Sequence, residues 1–203
     1  EKNRVIGEWK CPNKLSYDRL LLRGDAIMTP TVIVRRDVFD TVGLFDESRE
    51  LIGVEDYDMW LRIGLKYEIG FIDAILARYR FHGGNVSLSK WETRRKSMIV
   101  LERFASSDML TDKAIKLRAL RTLAMWLFEQ GCMSSDRESM IRSREVFICI
   151  IKNKPYFLRG YIYLLMSFLN LRFVKILKRY EYRIRGRKPF FAYEDNIYPA
   201  KMV

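Results

Sequence analysis

The chain has 203 residues, with 37 Lys or Arg against 25 Asp or Glu and a formal net charge of +12. That length holds one domain or somewhat more, with ample material for a buried core. Its three cysteines, Cys11, Cys132 and Cys149, are odd in number and lack metal-ligand spacing, which argues against a cysteine-held metal centre and for free thiols in a reducing compartment.

The chain starts at Glu1 rather than Met and shows no signal peptide, so it is expected to be a piece of a longer protein. Residues 1–25 are mixed and polar, with Pro12 and Gly24, and predict a loop and one short helix lying over a sheet. Residues 27–34 are rich in β-formers but interrupted by Pro30, the pattern of a bulged or edge strand. In residues 35–42, Val38, Phe39 and Val42 share one helical face and Gly43 follows as a stop. The loop around Leu44, Phe45, Asp46 and Glu47 leads to the next helix.

That helix is predicted over residues 55–66. Asp56, Met59, Trp60, Ile63 and Tyr67 recur on one side, while Glu55, Asp58, Arg62 and Lys66 share another. The charged side is explained by first-turn acids complementing the helix dipole and by an i,i+4 pair of Asp58 with Arg62. Asp56 stands apart, at the head of the apolar stripe. It is either a helix cap or a carboxylate held by packed neighbours and kept ionised by the helix end, which suits a general base.

Residues 68–72 and 75–81 read as two short strands. His82, the single histidine, follows beside Gly83 and Gly84, with Arg80, Asn85 and Ser87 as neighbouring donors. Such a group can ligate a divalent metal, donate to a diphosphate oxygen, or make a structural hydrogen bond.

From residue 90 onward the pattern is helical throughout, with helices predicted over 91–104, 111–130, 136–151 and about 155–171. Asp112 falls in the first turn of the second and Gly131 stands at its end as a stop. In the last, residues 161–169 are almost wholly apolar, but Arg159, Asn170, Arg172 and Lys175 keep the run too short to span a membrane. It is either an ordinary buried helix of an appended bundle or a helix lying on an anionic membrane surface, followed by the basic stretch KILKRYEYRIRGRK. Charge is also uneven: residues 46–58 hold six acids against Arg49, whereas residues 172–188 hold eight Lys or Arg against Glu181. An acidic rim in a basic protein marks a catalytic region; the basic tail is a solvated face or a surface for phosphate-bearing partners. Residues 189–203 have aromatics but no assignable pattern.

Three runs in order, TPTVIVRRDVFDTVGLFDE (29–47), VEDYDMWLRIGLKYEIGFID (54–73) and ILARYRFHGGNVSLS (75–89), resemble the second half of family 2 glycosyltransferases. The resemblance implies an inverting enzyme of GT-A fold that transfers a sugar from a nucleotide-sugar donor to a saccharide or lipid-linked acceptor in cell-surface polysaccharide or glycoconjugate synthesis. The expected fold class is therefore α/β: residues 1–89 as the C-terminal, Rossmann-like part of a GT-A domain, residues 90–188 as a helical extension, and residues 189–203 as a tail. The resemblance makes Asp56 the catalytic base and implies substrate contacts from Glu55, Thr31, Arg80, Asn85 and Ser87. It places Thr29 and Thr31 beside the acceptor pocket, although packing is the commoner task for threonine in β-structure. His82 is implied as a contact to a divalent metal, Mg or Mn, held mainly by a preceding half that carries an Asp-any-Asp motif. Asp56, Tyr57 and Asp58 have those letters, but a helix points the two carboxylates apart. The chain by itself is accordingly expected to be inactive, and the whole protein to be cytoplasmic, or peripheral on the inner face of the plasma membrane.

The competing expectation is a non-catalytic, basic, helical module docking on anionic membrane or nucleic acid, with the Glu55–Asp56 helix purely structural. The acidic cluster at 46–58 and the lack of any nucleic-acid-binding motif count against it, and no nucleic-acid partner is expected.

Overall fold

Helices form where apolar spacing predicts them, and the described residues of the segments read as strands form no strand. The computed structural model describes residues 15–23, 27–80, 90–169 and 174. Among these, regular structure is entirely helical: α1 (Tyr17–Arg23), α2 (Arg36–Val42), α3 (Glu55–Gly64), α4 (Lys90–Ser106), α5 (Lys113–Ser134), α6 (Arg137–Asn153) and α7 (Leu158–Met166), with single 3-10 turns at Thr29–Thr31 and Arg49–Leu51.

The expected α/β half of a GT-A domain is thereby corrected, because no strand and no sheet occur among the described residues. Residues 27–34 begin with a 3-10 turn instead of a strand. Pro30 suits the start of such a turn, and the Thr31 hydroxyl closes back on the Met28 carbonyl at 2.7 Å. Residues 68–80 form no helix and no strand, and Ile72, Ile75 and Leu76 are all exposed. Alternating apolar residues define a strand only when another segment supplies the facing N–H and C=O groups. For the same reason the helix of the first twenty-five residues, α1, does not lie over a sheet; it packs on α3.

The chain divides into two compact units, residues 10–119, and residues 1–9 with 120–203, the boundary falling inside α5. In the first unit α3 packs against α1, α2 and α4. It is buried on more than one side, with Tyr57, Asp58, Met59, Trp60, Leu61 and Ile63 all inside. Leu20 and Leu21 of α1 are fully buried, and the Tyr57 hydroxyl donates to the Leu21 carbonyl at 2.6 Å. Burial drives the Tyr57 and Tyr17 phenols well above their ordinary value.

In the second unit, α7 packs on α6. Phe128, Cys132, Met140, Phe147 and Ile150 form the buried core, with Tyr163, Leu164 and Met166 of α7 against it. Tyr163 stacks on Phe147 at 5.8 Å between ring centroids and meets Phe128 edge-on at 5.4 Å. Burying each phenylalanine stabilises the fold by about 1.5–3 kcal/mol. Cys132 is buried inside this core and Cys149 is exposed.

The turn between α5 and α6 shows how local signals were redirected by packing. Asp136 caps α6, accepting from the Glu138 N–H at 3.0 Å and from the Ser139 hydroxyl, and these bonds hold its carboxyl below the usual range. Gly131, read as a stop, lies inside α5, which continues to Ser134. A Cβ there would meet the Met140 nitrogen at 3.0 Å and the Asp136 carbonyl oxygen at 3.1 Å. The glycine therefore permits close approach of α6. Gly131→Ala is expected to lower stability by about 1–2 kcal/mol through overpacking, opposite in sign to the usual gain of roughly 1 kcal/mol for that change in a helix. Thermal unfolding of the two proteins checks it; a more stable variant would show that the helices part at no cost.

Candidate active site

The entry to α3 is built by a turn. Gly53 sits at φ +90°, and the Val54 N–H donates to the Leu51 carbonyl at 2.8 Å, a conformation that favours glycine. Lys96 of α4 pins this turn, donating from Nζ to the Ile52 carbonyl at 2.7 Å. The first turn of α3 then carries Glu55, Asp56 and Asp58, and each carboxylate has a different task.

Glu55 folds back to accept from the Gly53 N–H. Asp58 is buried and pairs with Arg62, at 2.9 Å to Nε and 2.7 Å to Nη2. The same guanidinium donates to the Val42 carbonyl at 2.6 Å and to the Leu44 carbonyl at 3.0 Å, tying the end of α2 to α3. The predicted pair on the charged side of α3 is thus an internal clasp. Lys66 and Tyr67 extend it, reaching the Thr41 carbonyl at 3.2 Å and the Thr41 hydroxyl at 2.9 Å.

Asp56 is not the helix cap, a position held by Val54. Its Oδ1 accepts from the Tyr57 N–H at 2.7 Å, and its Oδ2 accepts from the Thr29 hydroxyl at 2.8 Å. Burial raises its carboxyl above the ordinary 3.8, opposed by the bonds from Thr29 and Tyr57 and reinforced by the charge of Glu55. A carboxylate of raised basicity with one oxygen held by a hydroxyl, on a half-buried site, has the properties of a general base.

Two more acids of the cluster, Asp46 and Glu50, have structural work. Arg103 of α4 donates to Asp46 at 2.7 Å and pairs with Glu50. Hydrogen bonds from Ser48, together with Arg103, hold the Asp46 carboxyl below its usual range. Sequence spacing groups these acids on a rim; the distant Arg103 distinguishes them from Asp56 and has no local signal.

Of the predicted site residues, Glu55 and Asp56 adjoin each other, whereas the Thr31 hydroxyl is spent on its own turn. Thr29, two residues earlier, is the one that reaches Asp56. Arg80 is exposed in the segment after α3. His82, Asn85 and Ser87 lie outside the described residues, as do Cys11, the basic stretch after residue 174 and the tail at 189–203. Among the described residues no group of three or more His, Cys, Asp or Glu is placed to hold a metal ion, the nearby acids being taken up by arginines and backbone.

Compared with known proteins, the chain matches no family model, no curated protein and no solved structure.

Proposed function

We propose that the chain is the acceptor-side portion of an inverting glycosyltransferase, with Asp56 as its base. The observation that carries this reading is the Asp56 carboxylate, raised in basicity by burial and oriented by Thr29 at the head of α3. The resemblance of residues 29–89 to family 2 glycosyltransferases supplies the reaction class.

In this reading the acceptor hydroxyl donates to an Asp56 oxygen as its own oxygen attacks the anomeric carbon of the donor. The new bond joins that oxygen to the carbon; the bond to the nucleoside diphosphate breaks on the opposite face, and the proton passes to Asp56. The Thr29 hydroxyl keeps the carboxylate from rotating, so its free lone pairs are presented to the acceptor. The carboxylate does not contact the departing diphosphate, whose charge is left to groups beyond Asp56. Glu55 raises the basicity of Asp56 through its charge while its own oxygen stays on Gly53.

The test is transfer by the full-length gene product over a panel of nucleotide sugars with saccharide and lipid-linked acceptors, with and without Mg²⁺ or Mn²⁺, beside the 203-residue chain. The expected result is a product of inverted anomeric configuration from the full-length protein and none from the chain. Absence of both transfer and donor hydrolysis across the panel overturns the reading.

A further inference from the structure

α7 has two faces of different fate. Tyr163, Leu164 and Met166 pack into the core of its unit, and Gly160 is buried. On the other side Leu158, Ile162 and Leu165 follow one another at helical spacing and stay exposed, at 73%, 55% and 69% of their surface, and Leu169 in the turn after the helix is exposed at 44%. Tyr161 and Phe168 flank them, also exposed. A helix apolar on both faces is ordinarily enclosed, and an uncovered stripe of this kind marks a contact.

Along the sequence the charge through α7 and beyond it is of one sign. From Val146 to Tyr180 the sequence contains no Asp or Glu, while Lys152, Lys154, Arg159, Arg172, Lys175, Lys178 and Arg179 are all basic. Lys152, Lys154 and Arg159 are exposed close to the start of α7. At the other end the Arg144 guanidinium lies 4.2 Å from the Phe168 ring centroid and donates to Ser167, placing a cation beside an exposed aromatic. Apolar side chains flanked by aromatics and cations match the layers of a bilayer interface. α7 has nine residues, and no helix among the described residues is long and apolar enough to cross a membrane.

We propose that the exposed face of α7 docks in the plane of an anionic lipid bilayer. Leu158, Ile162, Leu165 and Leu169 enter the boundary between headgroups and acyl chains, and Lys154 and Arg159 meet lipid phosphates. Charge selects this occupant. A second copy in a symmetric pair would set the exposed Lys154 and Arg159 of each surface against those of the other. Nucleic acid would satisfy the cations but leave the apolar stripe uncovered. The inference does not depend on glycosyl transfer, and its test reads binding alone.

The experiment is co-sedimentation of the 203-residue chain with vesicles of phosphatidylcholine, and of phosphatidylcholine mixed with phosphatidylglycerol, at low and moderate salt. Partitioning is expected to be about tenfold or more stronger on the anionic vesicles. Ile162→Glu with Leu165→Glu is expected to reduce it by a similar factor, with helical content unchanged in circular dichroism because both side chains are exposed. Lys154→Gln with Arg159→Gln, which alters no apolar contact, is expected to weaken binding several-fold. Equal partitioning on the two vesicle types overturns the proposal. So does wild-type binding by the glutamate variant, or duplex DNA bound equally well by wild type and that variant. A dimer that the glutamate variant converts to monomer, with no vesicle binding, overturns it in favour of a contact between copies.

Discussion

Replacing Asp56 by asparagine is expected to lower turnover of the full-length protein by about 10²- to 10⁴-fold, the contribution general-base catalysis commonly makes. Donor affinity is expected to be unchanged, because the carboxylate addresses the acceptor hydroxyl and not the diphosphate. The exchange is nearly isosteric: the amide oxygen takes the bond from the Tyr57 N–H and the amide nitrogen donates to the Thr29 hydroxyl, which can accept as well as donate, so lost activity would not reflect a lost fold. Wild-type turnover by the variant would remove Asp56 from the reaction. A pH series adds a readout that needs no substrate. Burial raises the native Asp56 carboxyl above its ordinary 3.8, so near that pH the folded chain retains a proton that the unfolded chain has released. The stability this residue contributes is complete below about pH 4 and is lost as pH rises through the raised native value. Asparagine does not titrate. The melting temperature of Asp56→Asn relative to wild type is therefore expected to rise as pH increases above about 4, and a constant or falling difference would contradict the burial argument.

Arg62→Ala is expected to be the most destabilising single change near the site, by about 3–5 kcal/mol, the cost typical of removing one partner from a buried ion pair. The Asp58 and Arg62 side chains retain only 10% and 16% of their exposure. Truncation leaves the Asp58 carboxylate inside without its cation and frees the Val42 and Leu44 carbonyls from their donors. Arg62→Lys is expected to recover little, since one ammonium cannot serve a carboxylate and two diverging carbonyls as the planar guanidinium does. Asp58→Asn combined with Arg62→Ala is expected to be less damaging than the sum of the two, because the stranded charge is gone. Chemical denaturation of the four proteins checks this, and a loss below about 1 kcal/mol for Arg62→Ala would place the pair among ordinary surface bridges.

These two expectations also separate what could be read locally from what could not. The i,i+4 spacing of Asp58 and Arg62 is visible in the sequence and the bond forms, but the spacing carries no information on burial. Its burial depends on α2, whose end returns to α3 from twenty residues earlier, and no local pattern reports that. Asp56 was legible as the acid that breaks an apolar stripe. Its partner Thr29 was harder to single out, since Thr31 is an equally good hydroxyl and only the 3-10 turn at Pro30 decides which of them faces α3.

By itself the sequence determined the helices, because their hydrogen bonds run between residues four apart and their caps lie within a turn. Asp136 before α6 and the apolar spacing of α2 and α3 are of this kind. Only the tertiary structure decided three other matters. Residues 27–34 and 68–80 carry strand-like composition, but a ladder needs donors from elsewhere, and the described residues offer none. Gly131 has the letter of a helix stop and serves instead as a seat for α6. The α7 sequence is apolar enough to be buried or docked, and whether a face is covered depends on what packs against it. In this chain α6 takes one face and the other is left bare.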